Sequence, residues 1–119
     1  MADMTVAPAP PIIIESGVVI EELHFAVEPE DREQFMHVEA RVWTEFLKTC
    51  DGFLRKEVWL PDGELNANKV VVMIWWSTMA QWKAITMEQC DEVDKRMGEW
   101  LRPVVYSMAH TVARVTEGV

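Results

Sequence analysis

Nothing in this 119-residue chain approaches the roughly 20 consecutive apolar residues that a membrane-spanning helix needs. Basic residues are scarce as well. The 11 Lys and Arg stand against 20 Asp and Glu, giving a formal net charge of -9, and no basic run appears. That balance opposes binding to nucleic acid or to anionic membranes, both of which require a basic patch. Only two cysteines are present, Cys50 and Cys90, with no CxxC pair. Together with a start lacking the basic and apolar segments of a secretory signal, this predicts a cytoplasmic protein whose cysteines serve as small buried hydrophobes. The five glycines form no phosphate-cradling loop, and no GxSxG nucleophile turn occurs.

Apolar residues with a clear order are abundant. Val70 to Trp76 (VVVMIWW) is a continuous apolar run of β-branched, methionine and aromatic residues, too short for a buried helix. It predicts a strand covered on both faces. Thr78 with Gln81, and Thr86 with Gln89, then have the capping-box spacing of two successive helix starts. The second opens a stripe of Met87, Cys90, Val93, Met97, Trp100 and Leu101 at intervals of three and four, closed by Pro103.

Upstream, Met1 to Pro11 is proline- and alanine-rich; residues 1–15 are expected to be a flexible arm, and residues 16–119 to form one domain. Gly17 opens a strand over Val18 to Val27, with Val19, Leu23, Phe25 and Val27 on one face and Val18, Ile20, Glu22, His24 and Ala26 on the other. Pro29 and its acidic neighbours start a helix that ends near Lys48 and Gly52. Its apolar arc is broken by Glu39 alone. Phe53 to Leu60 and the strand from Lys69 pair across the turn-forming segment PDGELNAN, and Met108 to Val115 supplies a last strand.

The order β-α-β-β-α-β is that of an α+β, ferredoxin-like domain: a four-stranded antiparallel sheet with both helices on one face. Its other face would be bare, yet Val70 to Trp76 is apolar on both sides. The cover expected for it is a second copy, in a two-fold homodimer. An ordered set of residues carries a resemblance: Val19-Ile20-Glu21-Glu22, Pro29-Glu30, Asp51-Gly52-Phe53-Leu54, Trp59, and Trp76-Ser77 followed by Gln81-Trp82-Lys83. Over Val18 to Leu101 the chain resembles the dimeric α/β-barrel superfamily of antibiotic-biosynthesis-monooxygenase type, and within it a family of small bacterial proteins of cyanobacterial type. The resemblance implies a pocket between sheet and helices, and chemistry ranging from cofactor-independent oxygenation of aromatic polyketides to haem degradation. Haem-degrading relatives carry a ligand histidine about one turn after the position of Trp82. Here Lys83, Ala84 and Ile85 stand there, so neither haem nor another cofactor is expected.

Among candidate residues, Glu39 stands first, because a carboxylate turned into an apolar layer needs a proton or a partner. As a catalytic base or anchor it would have His24 beside it; as a structural residue it would pair with Lys56 or Arg55. Trp43 and Trp82 are the expected walls of a ligand pocket, with Lys56 and His110 as further ligand contacts. His24, His37 and His110 lie in separate elements without metal-ligand spacing, so no metal site is expected. Two functions stay open: a cofactor-independent oxygenase acting on a small aromatic or polyketide-like compound, or a non-catalytic dimer that binds a small apolar ligand. A core closed beside Glu39 would instead mean a purely structural role.

Overall fold

The computed structural model describes residues 9–118. Strands β1 (Ile12–Ala26), β2 (Phe53–Trp59), β3 (Lys69–Trp76) and β4 (Val104–Glu117) form one antiparallel sheet in the order β2-β3-β1-β4. Helices α1 (Arg32–Glu39), α2 (Glu45–Leu47), α3 (Met79–Lys83) and α4 (Met87–Met97) cover one face, as a ferredoxin-like α+β domain requires. Alternation along the strands decides which side chains meet the helices. Val70, Val72, Ile74 and Trp76 of β3, with Val19 and Val27, pack beneath Phe35, Val38, Val42, Leu47, Val93 and Met97.

Both capping threonines act as their spacing predicts. Thr78 Oγ1 accepts from the Gln81 amide at 3.1 Å, and Thr86 and Gln89 form a complete reciprocal box. Gly52 is a forced glycine. Its φ is 83°, and a Cβ there would lie 2.2 Å from Gln81 Oε1 and 2.7 Å from Gln81 Cβ. This close approach fixes α3 against the end of the first helical segment, where the Gly52 carbonyl accepts the Ser77 amide at 2.7 Å.

The boundary at residue 15 is corrected. Residues 1–8 of the expected arm lie outside the described residues, but β1 begins at Ile12, and Ile12 to Glu15 pair with Glu117 to Arg114. The reason is register. β3 ends at Trp76 opposite Val19, so the earlier part of β1 has β4 as its ladder partner, and β4 starts four residues before the expected Met108 and runs two residues past Val115. The resulting ribbon leaves Ile12, Ile13, Ile14 and Val115 exposed.

On the face away from the helices, Val18, Val71 and Met73 are nonetheless buried, among Trp75, Ile20 and neighbouring side chains of the same face. Trp59 and Tyr106, at the ends of the row Trp59-Val71-His24-Tyr106, are about half exposed.

Candidate functional site

The first helix is interrupted by a π turn over Ala40–Thr44, immediately after Glu39. Its i→i+5 geometry brings residues five apart toward one side, and both Glu39 and Thr44 there meet a single strand residue. The Lys56 ammonium donates to the Glu39 carboxylate and, at 2.7 Å, to Thr44 Oγ1. Both members of the ion pair are almost fully enclosed, the side chains 5 % and 6 % exposed. Of the roles expected for Glu39, the structure forms the pair with Lys56. That lysine is thereby committed to Glu39 and Thr44, and Arg55 lies instead on the other face, over Trp75 and against Glu57.

His24 does not join Glu39. It sits on the sheet face opposite the helices, with Nε2 3.3 Å from Glu22 Oε2 and its ring edge-on to Tyr106 at 5.0 Å. His110 shares that face but pairs with Ile20, four β1 positions from His24, or about 13 Å along the strand. Strand alternation turns both histidines away from the helices, so the expected place of His24 beside Glu39 is corrected, and His110 does not line the space between sheet and helices.

Between sheet and helices lies a cavity of about 260 Å³. Trp43 and Trp82 line it, joined by Trp76, Leu23, Phe25, Ile74, Ile85 and Glu39, with Leu101, Arg102 and Val104 from the chain before and within β4. Two further carboxylates reach it, and sequence reasoning missed both. Glu21 accepts a hydrogen bond from Trp76 Nε1 at 3.4 Å, and Asp94 accepts one from Trp43 Nε1 at 3.1 Å. Burial pushes the Glu21 carboxyl above its ordinary 4.5, partly offset by the indole N–H groups of Trp76 and Trp82. Burial likewise raises Asp94, with Trp43 lowering it and Asp91 adding to the rise. Cys90 also lines the cavity, its thiol pushed up by burial first and by the charges of Glu21 and Asp94 after that.

Neither Glu21 nor Asp94 has a Lys or Arg partner among the described residues. Glu21 was legible in principle. It stands between Val19 and Leu23 on the apolar face of β1, a break as clear as that made by Glu39. Asp94 follows Cys90 by one helical turn, on the flank of the apolar stripe of α4. Among the described residues no three His, Cys, Asp or Glu side chains gather to hold a metal ion, and no helix is long and apolar enough to cross a membrane.

Comparison with protein-family models and with curated proteins gives no match. Solved structures do match. The cofactor-independent oxygenase SnoaB from Streptomyces nogalater aligns at 17% identity over 82% of this chain and 92% of its own, with a TM-score of 0.55. A monooxygenase from the gene ActVA-Orf6 of Streptomyces coelicolor, solved with Nanaomycin D, aligns at 15% identity over 88% and 91%, with a TM-score of 0.55. A provisionally assigned antibiotic biosynthesis monooxygenase from Bacillus cereus aligns at 23% identity over 81% and 93%, with a TM-score of 0.59. At these identities the likeness is one of fold, and it agrees with the sheet order and one-sided helices described above: the chain has the ferredoxin-like α+β fold of antibiotic-biosynthesis-monooxygenase-type proteins.

Proposed function

We propose that the cavity takes a small aromatic molecule and that the protein acts on it as a cofactor-independent oxygenase. The observation that carries this reading is Glu21, a carboxylate without a cationic partner, set under indole rings inside a cavity. A carboxylate whose proton affinity is raised by burial is a stronger base than one in water. Glu21 would take the proton of a ring hydroxyl, leaving an electron-rich phenolate whose ring carbon reacts with dioxygen. Loss of water from the resulting hydroperoxide gives a quinone, so that hydroxyarene and O2 become quinone and H2O. One oxygen atom enters the product and the other leaves as water, and the four electrons come from the arene. Glu39, held by Lys56, shapes the cavity wall in this scheme and moves no proton.

An oxygen electrode tests the proposal with a panel of hydroxynaphthalenes and hydroxyanthracenes. Uptake dependent on the protein and lost in Glu21→Gln is expected. Binding of the panel without any uptake would overturn the enzyme and leave the second reading, a non-catalytic binder of a small apolar ligand, which the apolar lining of the cavity favours.

The same proposal includes a homodimer through the helix-free sheet face. Support comes from Trp59, Trp75 and Tyr106 on that face, and from the apolar ribbon Ile12 to Ile14, all without a covering element among the described residues. Sedimentation at micromolar concentration should give twice the 13.7 kDa chain mass. A stable monomer would refute it.

A further inference from the structure

We propose that the cavity selects molecules in which a protonated amine is carried beside a flat apolar body, as in an arylalkylamine. The proposal deepens the reading of this cavity as a small-aromatic site and rests on it. Its starting point is a mismatch between the walls and their charges. Two carboxylates, Glu21 and Asp94, reach a cavity built from Trp43, Trp76 and Trp82, and no lysine or arginine answers either of them.

Each nearby cation is committed elsewhere. Lys56 is held by Glu39 and Thr44. Arg102 lies 3.5 Å from Asp31, donates to the Glu99 and Leu101 carbonyls at 2.8 and 3.1 Å, and rests over the Trp100 ring. Lys83 sits over the Trp82 ring, 4.8 Å from its centroid, rather than at a carboxylate.

The groups that do touch the two acids are indole N–H donors, which can bond only to an acceptor. Each acid thus accepts through one oxygen and keeps further lone pairs free, and in the ionised form the complement to such a surface is a group that only donates. An ammonium is such a group, and it is attracted to indole faces as well. An anionic ligand would meet two like charges in a setting of low dielectric. A neutral one would leave both acids uncompensated.

Calorimetry with three probes of one shape tests this: naphthylethylamine, naphthylethanol and naphthylacetate, titrated into the full-length protein at mildly alkaline pH. The amine should bind about tenfold or more tighter than the alcohol, with the acid weakest. In Glu21→Gln combined with Asp94→Asn the ratio of amine to alcohol affinity should fall to about one, since near-isosteric amides keep shape and lose charge. Equal or tighter binding of the alcohol, or an amine preference that survives both substitutions, overturns the proposal while leaving the cavity as an aromatic site. Failure of all three probes to bind overturns the proposal together with the reading beneath it. The probe series on the unaltered protein decides the matter even if the double variant does not fold.

Discussion

Replacing Glu39 with Gln should cost roughly 3 to 5 kcal/mol, because it strands the Lys56 ammonium in the core. The side chains of the pair are only 5 % and 6 % exposed, so water cannot take the place of the lost carboxylate. Thr44 Oγ1 and the new amide oxygen would still accept from the ammonium, but neither carries charge. For a domain whose whole stability is expected to be about 5 to 15 kcal/mol, a loss of this size is a large fraction. Urea unfolding at neutral pH measures it, with an unchanged slope showing that the folded state is otherwise intact. The companion variant gives the argument its sharper edge. With Lys56→Met added, no charge is left uncompensated, and a buried neutral amide costs less than a stranded ammonium. Glu39→Gln with Lys56→Met should therefore recover most of the loss. A single-variant cost below about 1 kcal/mol, or a double variant no better than Glu39→Gln alone, would refute the view that the pair is closed and self-contained.

Glu21 should leave its mark on the pH dependence of stability. Its folded pKa is raised above the ordinary 4.5, so the fold favours the protonated form; that stability is fully present below the unfolded value and lost as pH rises through the folded one. Glu21→Gln should accordingly gain on the unaltered protein as pH climbs through this window and show no such gain at pH below 4.5; thermal melts across acidic to neutral buffers would expose a parallel course as the contrary result. Gly52→Ala should destabilise by about 2 kcal/mol or more, from left-handed φ and collision with Gln81, whereas Gly17→Ala, with the same φ of 83° but nothing within 4 Å, should cost only about 1 kcal/mol. Equal melting shifts for the two glycines would refute the steric part. Thr86→Ala removes one half of a complete capping box and should cost about 1 kcal/mol, readable by urea unfolding.

The fold was legible because its signals are local and periodic. The uninterrupted apolar run from Val70, the two threonine caps and the turn segment before Asn68 each name an element without help from the rest of the chain. The ribbon was not, since Ile12 to Ile14 is a strand by pairing with Val115 and its neighbours, and that pairing is more than 100 residues away in sequence. The site divided in the same way. Trp43, Trp82 and Glu39 could be placed from helix phase. The identity of the partner of Glu39 could only be narrowed to Lys56 or Arg55, because a bulge between Phe53 and Arg55 shifts which of the two faces the helices. His24 was linked to Glu39 by chemistry alone; its own strand alternation already put it with Ile20 and Glu22, away from Leu23 and Phe25.

The register of the sheet explains why one acid is structural and another is free. Lys56, Ile74 and Glu21 lie in a single row across β2, β3 and β1, all on the helix face. With strands about 4.8 Å apart, the backbones of Lys56 and Glu21 stand roughly 10 Å from each other across Ile74. A lysine in that position can turn outward to the helix or inward along the sheet. The π turn after Glu39 decides the matter, because it presents a carboxylate and a hydroxyl together above Lys56. Ile74 then separates the satisfied pair from Glu21, whose polar contacts are indoles. Had the helix run on without the π turn, Thr44 would sit about 140° from Glu39 around the axis and could not share the ammonium. The irregular turn in the helix thus leaves the cavity with a carboxylate that has no Lys or Arg counter-charge among the described residues, and it is on this group that the proposed base chemistry rests.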